Sequence, residues 1–265
     1  MKIYISADIE GVTGVTHWDE TSKNKSDYSA YSQQMTDEVG AACDGCNDEG
    51  AECILIKDAH ESGRNIDHSQ LPKNSKLIRG WDGGLYSMVQ DLDDSFDGIV
   101  FIGYHSGASI DGSPLSHTLT PSVLSIKLNG ELVDEFLLHA YIAAYHKVPI
   151  LFISGDRSLC ESVKKLNPSI ETVAVKEGKG DSTISIHPEM ALELIREGVS
   201  KSLKKDKQDL ILNLPEKFLV EVQYPKHMDA LRNSNYPGAK LQDSRTVTFS
   251  TNYYIEVLRF IHFTV

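Results

Sequence analysis

Three short segments carry side chains of the kind that bind metal ions: Asp8-Ile9-Glu10, Asp58-Ala59-His60 and Gly103-Tyr104-His105. Each follows an apolar run that reads as a β-strand. Residues two apart in extended chain share a face, so Asp8 can act with Glu10 and Asp58 with His60. Gathering Asp8, Glu10 and Asp58 in one crevice sets like charges against each other and strips their hydration, unless cations neutralise them. Mixed carboxylate and imidazole ligands suit zinc, manganese or iron better than magnesium or calcium, which prefer oxygen alone. Three carboxylates with two imidazoles also suit a two-metal site, where about +4 of metal charge offsets about −3 of ligand. Taken singly, each acid could be a turn former or helix cap and each histidine a loop residue; agreement among three strand ends favours metal.

The elements that must position these side chains read as an alternation of strands and helices. Strands are predicted at residues 2–7, 52–57, 76–78, 98–103, 149–154 and 171–175, with helices at 28–49, near 85–92, at 134–145 and from about Pro188 onward. That alternation implies a mostly parallel sheet with helices on both faces. In open sheets of this kind the ligand crevice lies beyond the carboxyl ends of the strands, where the three segments fall. Residues 122–128 and 131–133 flank Asn129-Gly130, the dipeptide of a tight type I′ turn, and predict an inserted hairpin. Strands near 218–223 and 246–250 and an apolar final helix complete the chain. The expected class is therefore α/β, with a mostly parallel central sheet, an inserted hairpin and a small C-terminal α+β subdomain. The lysine-rich stretch Lys204-Lys205-Asp206-Lys207 is the linker candidate, dividing a catalytic portion at 1–205 from a C-terminal portion at 206–265.

The formal net charge of −12, with Lys and Arg scattered, argues against a nucleic-acid partner. No run approaches the ~20 apolar residues of a membrane span, and the opening residues enter a strand pattern instead of a signal peptide, so the chain is expected to be soluble and not secreted. Cys43 and Cys46 form a C-x-x-C inside a helical pattern; with no second such pair, they read as small helix residues in a reducing compartment. Gly11 and Gly14 lack the G-x-G-x-x-G spacing of a nucleotide loop and follow two acids, so they are expected to turn the backbone tightly beside the metals.

Ser6-Ala7-Asp8-Ile9-Glu10-Gly11 resembles the Ser-x-Asp-x-Glu-Gly signature of the DppA-type D-aminopeptidases, a family of zinc peptidases, and Asp58-Ala59-His60 resembles its Asp-x-His segment. Gly103-Tyr104-His105, Leu115-Ser116-His117, and Glu135 ahead of Leu138-His139-Ala140-Tyr141 are similar to later blocks in the same order. The likeness runs to about Gly155-Asp156 and is looser around Val175-Lys176 and Pro188.

The resemblance implies two zinc ions per subunit, with Asp8 bridging them and Glu10, His60, His105 and Glu135 completing the shell. It places His117 at the catalytic position, described in the family as a nucleophile. It also implies release of an N-terminal D-residue from short peptides by a ring-shaped cytoplasmic homo-oligomer, with residues 210–265 expected to supply subunit contacts. Asp58 is expected to orient His60 or a nearby amide without touching metal. His139, where the family has a polar residue that is no ligand, reads either as an additional or outer ligand or as a core or solvated histidine. His117 itself could attack the carbonyl, act as general base, or protonate the leaving amine. Other two-metal amidohydrolases or phosphoesterases, and a ring-forming protein that binds peptide or metal without turnover, are the competing functions.

Overall fold

Each of the three acid- and histidine-bearing segments ends a strand of one sheet. The computed structural model describes all 265 residues. It places β1 at Lys2–Ala7, α1 at Tyr28–Asp48, β2 at Cys53–Asp58, β3 at Ser75–Ile78 and β4 at Gly98–Tyr104. A hairpin of β5 (Ser125–Leu128) and β6 (Glu131–Leu132) leads into α2 (Glu135–Tyr145), β7 (Ile150–Asp156), α3 (Arg157–Leu166), β8 (Glu171–Lys179), β9 (Ser182–Ser185) and α4 (Pro188–Leu203). The chain finishes with β10 (Phe218–Gln223), α5 (His227–Asn233), β11 (Lys240–Leu241), β12 (Thr246–Thr251) and α6 (Tyr254–Thr264).

The main sheet runs in the order β3-β2-β1-β4-β7-β8-β9, parallel except for the last pairing. From β1 the chain first adds strands on one side and then, with β4, on the other. The crevice beyond β1 and β4 is thus the topological switch point, where open α/β sheets bind ligands. Register aligns the strand ends there: Ala7 pairs with both Asp58 and Ile102, so Asp8, His60 and His105 emerge along one edge. β4 reads as a continuous apolar run because it is covered on both faces; every residue from Gly98 to Tyr104 is buried. α1 and α4 pack together over the central strands, whereas α2 lies against β4 and α3 against β7 and β8.

The Asn129-Gly130 turn has φ of 54° and 89°, both in the left-handed region, as a type I′ hairpin requires. Its strand β5 pairs with β10, giving a second, antiparallel sheet in the order β11-β12-β10-β5-β6. The C-terminal strands are therefore completed by a hairpin from the middle of the chain. Val220, Val247 and Phe260 belong to the same apolar cluster as Ile3 and Ile102, so one core serves both sheets. No helix is long and apolar enough to cross a membrane.

Three local differences from expectation have physical reasons. Residues 85–92 hold only a 3-10 turn, Ser87–Val89, with Ser87 and Asp91 at positive φ. The Met88 and Gln90 carbonyls are instead taken by the Ser6 and Tyr4 hydroxyls of β1, each at 2.6 Å. α3 was not anticipated, although Asp156 caps it by accepting from Leu159 N at 2.9 Å and Leu159, Cys160 and Val163 form a short buried stripe. β8 runs four residues past its expected end at residue 175 because β9 folds back on it around Gly180. Cys43 and Cys46 are buried in the core face of α1 and unpaired; burial pushes the Cys46 thiol up to about 12.

Candidate metal centre

Backbone contact between the loop after β1 and the end of β4 builds the centre. Asp8 N donates to Ile102 O at 2.9 Å, and Gly11 N to Gly103 O at 2.8 Å. A Cβ on Gly11 would lie 1.8 Å from Tyr104 O, and one on Gly103, at φ +68°, would lie 2.3 Å from Asp8 O. Only glycines let the loop carrying Asp8 and Glu10 close onto the end of β4. That closure sets Asp8 beside His105.

The side chains of Asp8, Glu10, His60, His105 and Glu135 converge and are all buried. His60 Nδ1 lies 3.3 Å from Asp8 Oδ1 and 3.0 Å from Glu10 Oε2. His105 Nε2 lies 3.5 Å from Asp8 Oδ2 and 3.5 Å from Glu135 Oε2. Asp8 thus turns one oxygen to a group holding Glu10 and His60 and the other to a group holding His105 and Glu135. The spacings match the edge of about 3.3 Å that a tetrahedron of ~2.0–2.1 Å bonds produces.

Hydrogen bonding on the far side of each imidazole fixes which nitrogen is left over. His60 Nε2 donates to Thr21 O at 2.9 Å and His105 Nδ1 to Ser106 O at 2.9 Å. In the neutral ring the remaining nitrogen then carries a lone pair, and it faces carboxylate oxygens that carry lone pairs too. A proton or a cation between them is required, and Glu10 Oε2 and His105 Nε2 are buried with no aligned hydrogen-bond partner. The donor set therefore fits a divalent ion that accepts both nitrogen and oxygen.

The titration behaviour reports the same demand. Burial, then the Glu10 charge, pushes the Asp8 carboxyl well above the usual range. Burial also acts to raise Glu10 and Glu135, but His60 outweighs it at Glu10, held well below its ordinary value, and His105 outweighs it at Glu135, held at about 2. Burial alone would lower His105; Glu135 and Asp8 instead lift it to about 10. Positive charge is strongly favoured among these groups.

Each of the segments is held from behind by a buried charged group. Asp58 accepts from the Asn65 backbone and side chain and from Ile66 N, while Asn65 Nδ2 donates to His60 O at 2.8 Å. Asp156 accepts from Ser106 N and Oγ, each at 2.6 Å, next to His105. Lys176 of β8 donates to Glu10 O and, at 2.7 Å, to Val15 O, which fixes the loop that carries Glu10. Asp156 follows the strand-end logic of the sequence and could have been found by it. Beyond the looser family likeness at Val175-Lys176, nothing marked Lys176, whose contact spans 166 positions of chain; Asn65 acts only five positions from His60, in a loop without periodic pattern.

Glu135 stands in the first turn of α2, directly after the cap Asp134, which accepts from Leu137 N at 2.7 Å. Its Oε1 accepts from Leu119 N at 2.7 Å; Leu119 has a φ of 64°, a conformation side-chain-bearing residues rarely adopt. Close by, Thr118 Oγ1 accepts from Ala108 N and donates to Val133 O, pinning the loop that carries His117. His117 stacks on His105 with ring centroids 4.4 Å apart, and its Nε2 is 3.5 Å from Glu135 Oε1. His105, His117 and Glu135 together also meet the spacing of a metal-binding group. His139 is buried, and its Nδ1 donates to Glu135 O at 2.6 Å.

The cluster opens on a cavity of about 480 Å3 with an apolar wall formed by Met88, Leu138, Leu258 and Ile261. A buried carboxylate–imidazole cluster at a sheet's switch point, opening on such a cavity, is the site of a metal-dependent hydrolase. The chain belongs to the M55 peptidase family, the D-aminopeptidases, whose model matches residues 1–263. It is 29% identical over 247 residues to a D-aminopeptidase of Bacillus subtilis strain 168, covering 93% of this chain and 89% of that protein. The fold superposes with a TM-score of 0.92, at 27% identity, on a solved structure described as the Zn-dependent D-aminopeptidase DppA from Bacillus subtilis, a self-compartmentalizing protease. That superposition spans 100% of this chain and 96% of the other.

Proposed function

We propose that the chain is a zinc aminopeptidase that removes the N-terminal D-residue from short peptides, with two zinc ions held by Asp8, Glu10, His60, His105 and Glu135. The observation that carries the two-ion reading is the division of Asp8, whose Oδ1 lies beside His60 and Oδ2 beside His105, with His105 common to the groups Asp8-Glu10-His105 and His105-His117-Glu135. When bound, zinc supplies Lewis-acid polarisation of a carbonyl and a water acidic enough to attack near neutral pH.

The protein's own groups account for substrate choice and proton movement. With Asp8, Glu10 and Glu135 engaged by metal, Glu61 is the acid of the cavity lining left to receive the substrate's amino terminus, and no Lys or Arg lines the cavity. A phosphate ester would find no side-chain cation there beyond the metals themselves, which favours the peptidase reading over a phosphoesterase. His117 Nδ1 donates to Leu115 O at 2.8 Å, so its Nε2 keeps a lone pair on the cluster side. An imidazole oriented in this way can take the proton of an attacking water and then give it to the departing amine, or alternatively attack the carbonyl itself, the amine then taking its proton from solvent. Trp18, edge-on to the His117 ring at 5.3 Å, limits its rotation.

Hydrolysis of D-alanyl p-nitroanilide and di-D-alanine, with and without chelator, tests this function. We expect turnover that a chelator removes and added zinc restores; absence of turnover on both would leave a binding protein. Assembly is part of the proposal, supported by exposed apolar side chains at Met228, Leu231, Tyr253 and Phe263 in the C-terminal portion. A homo-oligomeric mass by light scattering is expected, and a monomer at micromolar concentration would remove that part.

A further inference from the structure

We infer that the apolar wall beside the cluster is a subsite for a large apolar N-terminal side chain, of leucine to phenylalanine size; this deepens the aminopeptidase reading and rests on it. Met88, Leu138, Leu258 and Ile261 are each 7% exposed or less, yet all four border the cavity, so their free surface faces into it. Leu85 and Val265 extend the same wall.

Its placement relative to the cluster decides what it can hold. Glu135 and Leu138 both line the cavity and are three residues apart on α2, so they share a helix face about 4.5 Å apart along the axis. A residue whose amino and carbonyl groups engage the cluster therefore has Leu138, with Leu258 and Ile261 of α6, within reach of its side chain in the same cavity. A methyl group would leave the side chains of this wall facing water. Each further buried methylene favours binding severalfold, so the step from alanine to leucine is expected to gain about tenfold or more. A lysine-sized cation would lose its hydration against Met88, Leu138, Leu258 and Ile261, none of which carries a charge.

The test compares kcat/KM of the zinc-loaded enzyme on D-alanyl, D-leucyl, D-phenylalanyl and D-lysyl p-nitroanilides. D-leucyl and D-phenylalanyl should exceed D-alanyl and D-lysyl by about tenfold or more. Filling the wall with Ile261→Trp, or more mildly with Ile261→Phe, should lower the D-leucyl to D-alanyl ratio by a similar factor. Calorimetric binding of free D-leucine and D-alanine gives a second measurement that does not need turnover, and D-leucine should bind about tenfold more tightly. If no anilide is cleaved while D-leucine binds more tightly, the subsite stands and the peptidase reading falls. If D-alanine equals or exceeds D-leucine in kcat/KM or in binding, the inference is overturned.

Discussion

The Asp8→Ala protein should purify with almost no zinc and with hydrolysis reduced by at least about a hundredfold, since even partners that only orient a ligand cost 10–100-fold. Asp8 divides its oxygens between the two histidines, Oδ1 toward His60 and Oδ2 toward His105. Removing it takes away the carboxylate between His60 and His105 and leaves Glu10, Glu135 and the two histidines short of the donors that two closed shells need. Zinc content by elemental analysis, alongside a circular dichroism spectrum that shows the fold retained, checks the expectation. Asp8→Asn keeps the size and the Ile9 N contact but halves the oxygen donors, and it should also lose zinc. Retention of two equivalents of zinc in either variant would remove Asp8 from the centre.

For His117→Ala the expected pattern differs: turnover falls by about 10²–10⁴-fold, the range of general acid–base contributions, while zinc content stays at the wild-type level. The geometry makes this a sharp test. His117 Nε2 is 3.5 Å from Glu135 Oε1, and its ring stacks on His105, so the side chain is near enough to be either a ligand or a proton carrier. The Leu115 carbonyl orients the ring through Nδ1 and keeps Nε2 available for chemistry. Zinc lost in parallel with activity would make His117 a ligand; near-normal turnover would make it a bystander.

The parts of the site readable in sequence are those fixed by strand periodicity. Asp8, Glu10, His60 and His105 follow apolar runs directly, so the fold class alone places them at one edge. Glu135 is different. It lies in a helix behind a hairpin, and its approach to His105 depends on how α2 packs on β4, which no local pattern records. Only family resemblance marked it, as it did His117, whose loop is held by the contacts of Thr118 to Ala108 and Val133. Asp58 shares a face with His60 by spacing, yet its oxygens accept from Asn65 and Ile66, the orienting role expected of it. Whether an acid meets a metal or an amide is settled by the following loop, beyond the reach of an i, i+2 rule.

The same limit explains the second sheet. The hairpin was legible from Asn129-Gly130, yet its partner β10 lies some ninety residues later, and pairing at that distance leaves no trace in either strand. α3 was legible in principle from its cap Asp156 and its stripe of Leu159, Cys160 and Val163, but the stripe covers little more than one turn. Conversely, the apolar residues at 85–92 imitate a helix while serving as the shelf on which Ser6 and Tyr4 end their hydroxyls.

Diffraction recorded on either side of the zinc absorption edge tests the central claim most directly. The account predicts two anomalous peaks flanking Asp8, one among Glu10 and His60 and one among His105 and Glu135, each within ~2.0–2.3 Å of those donors. A single peak, or peaks remote from Asp8, would contradict it.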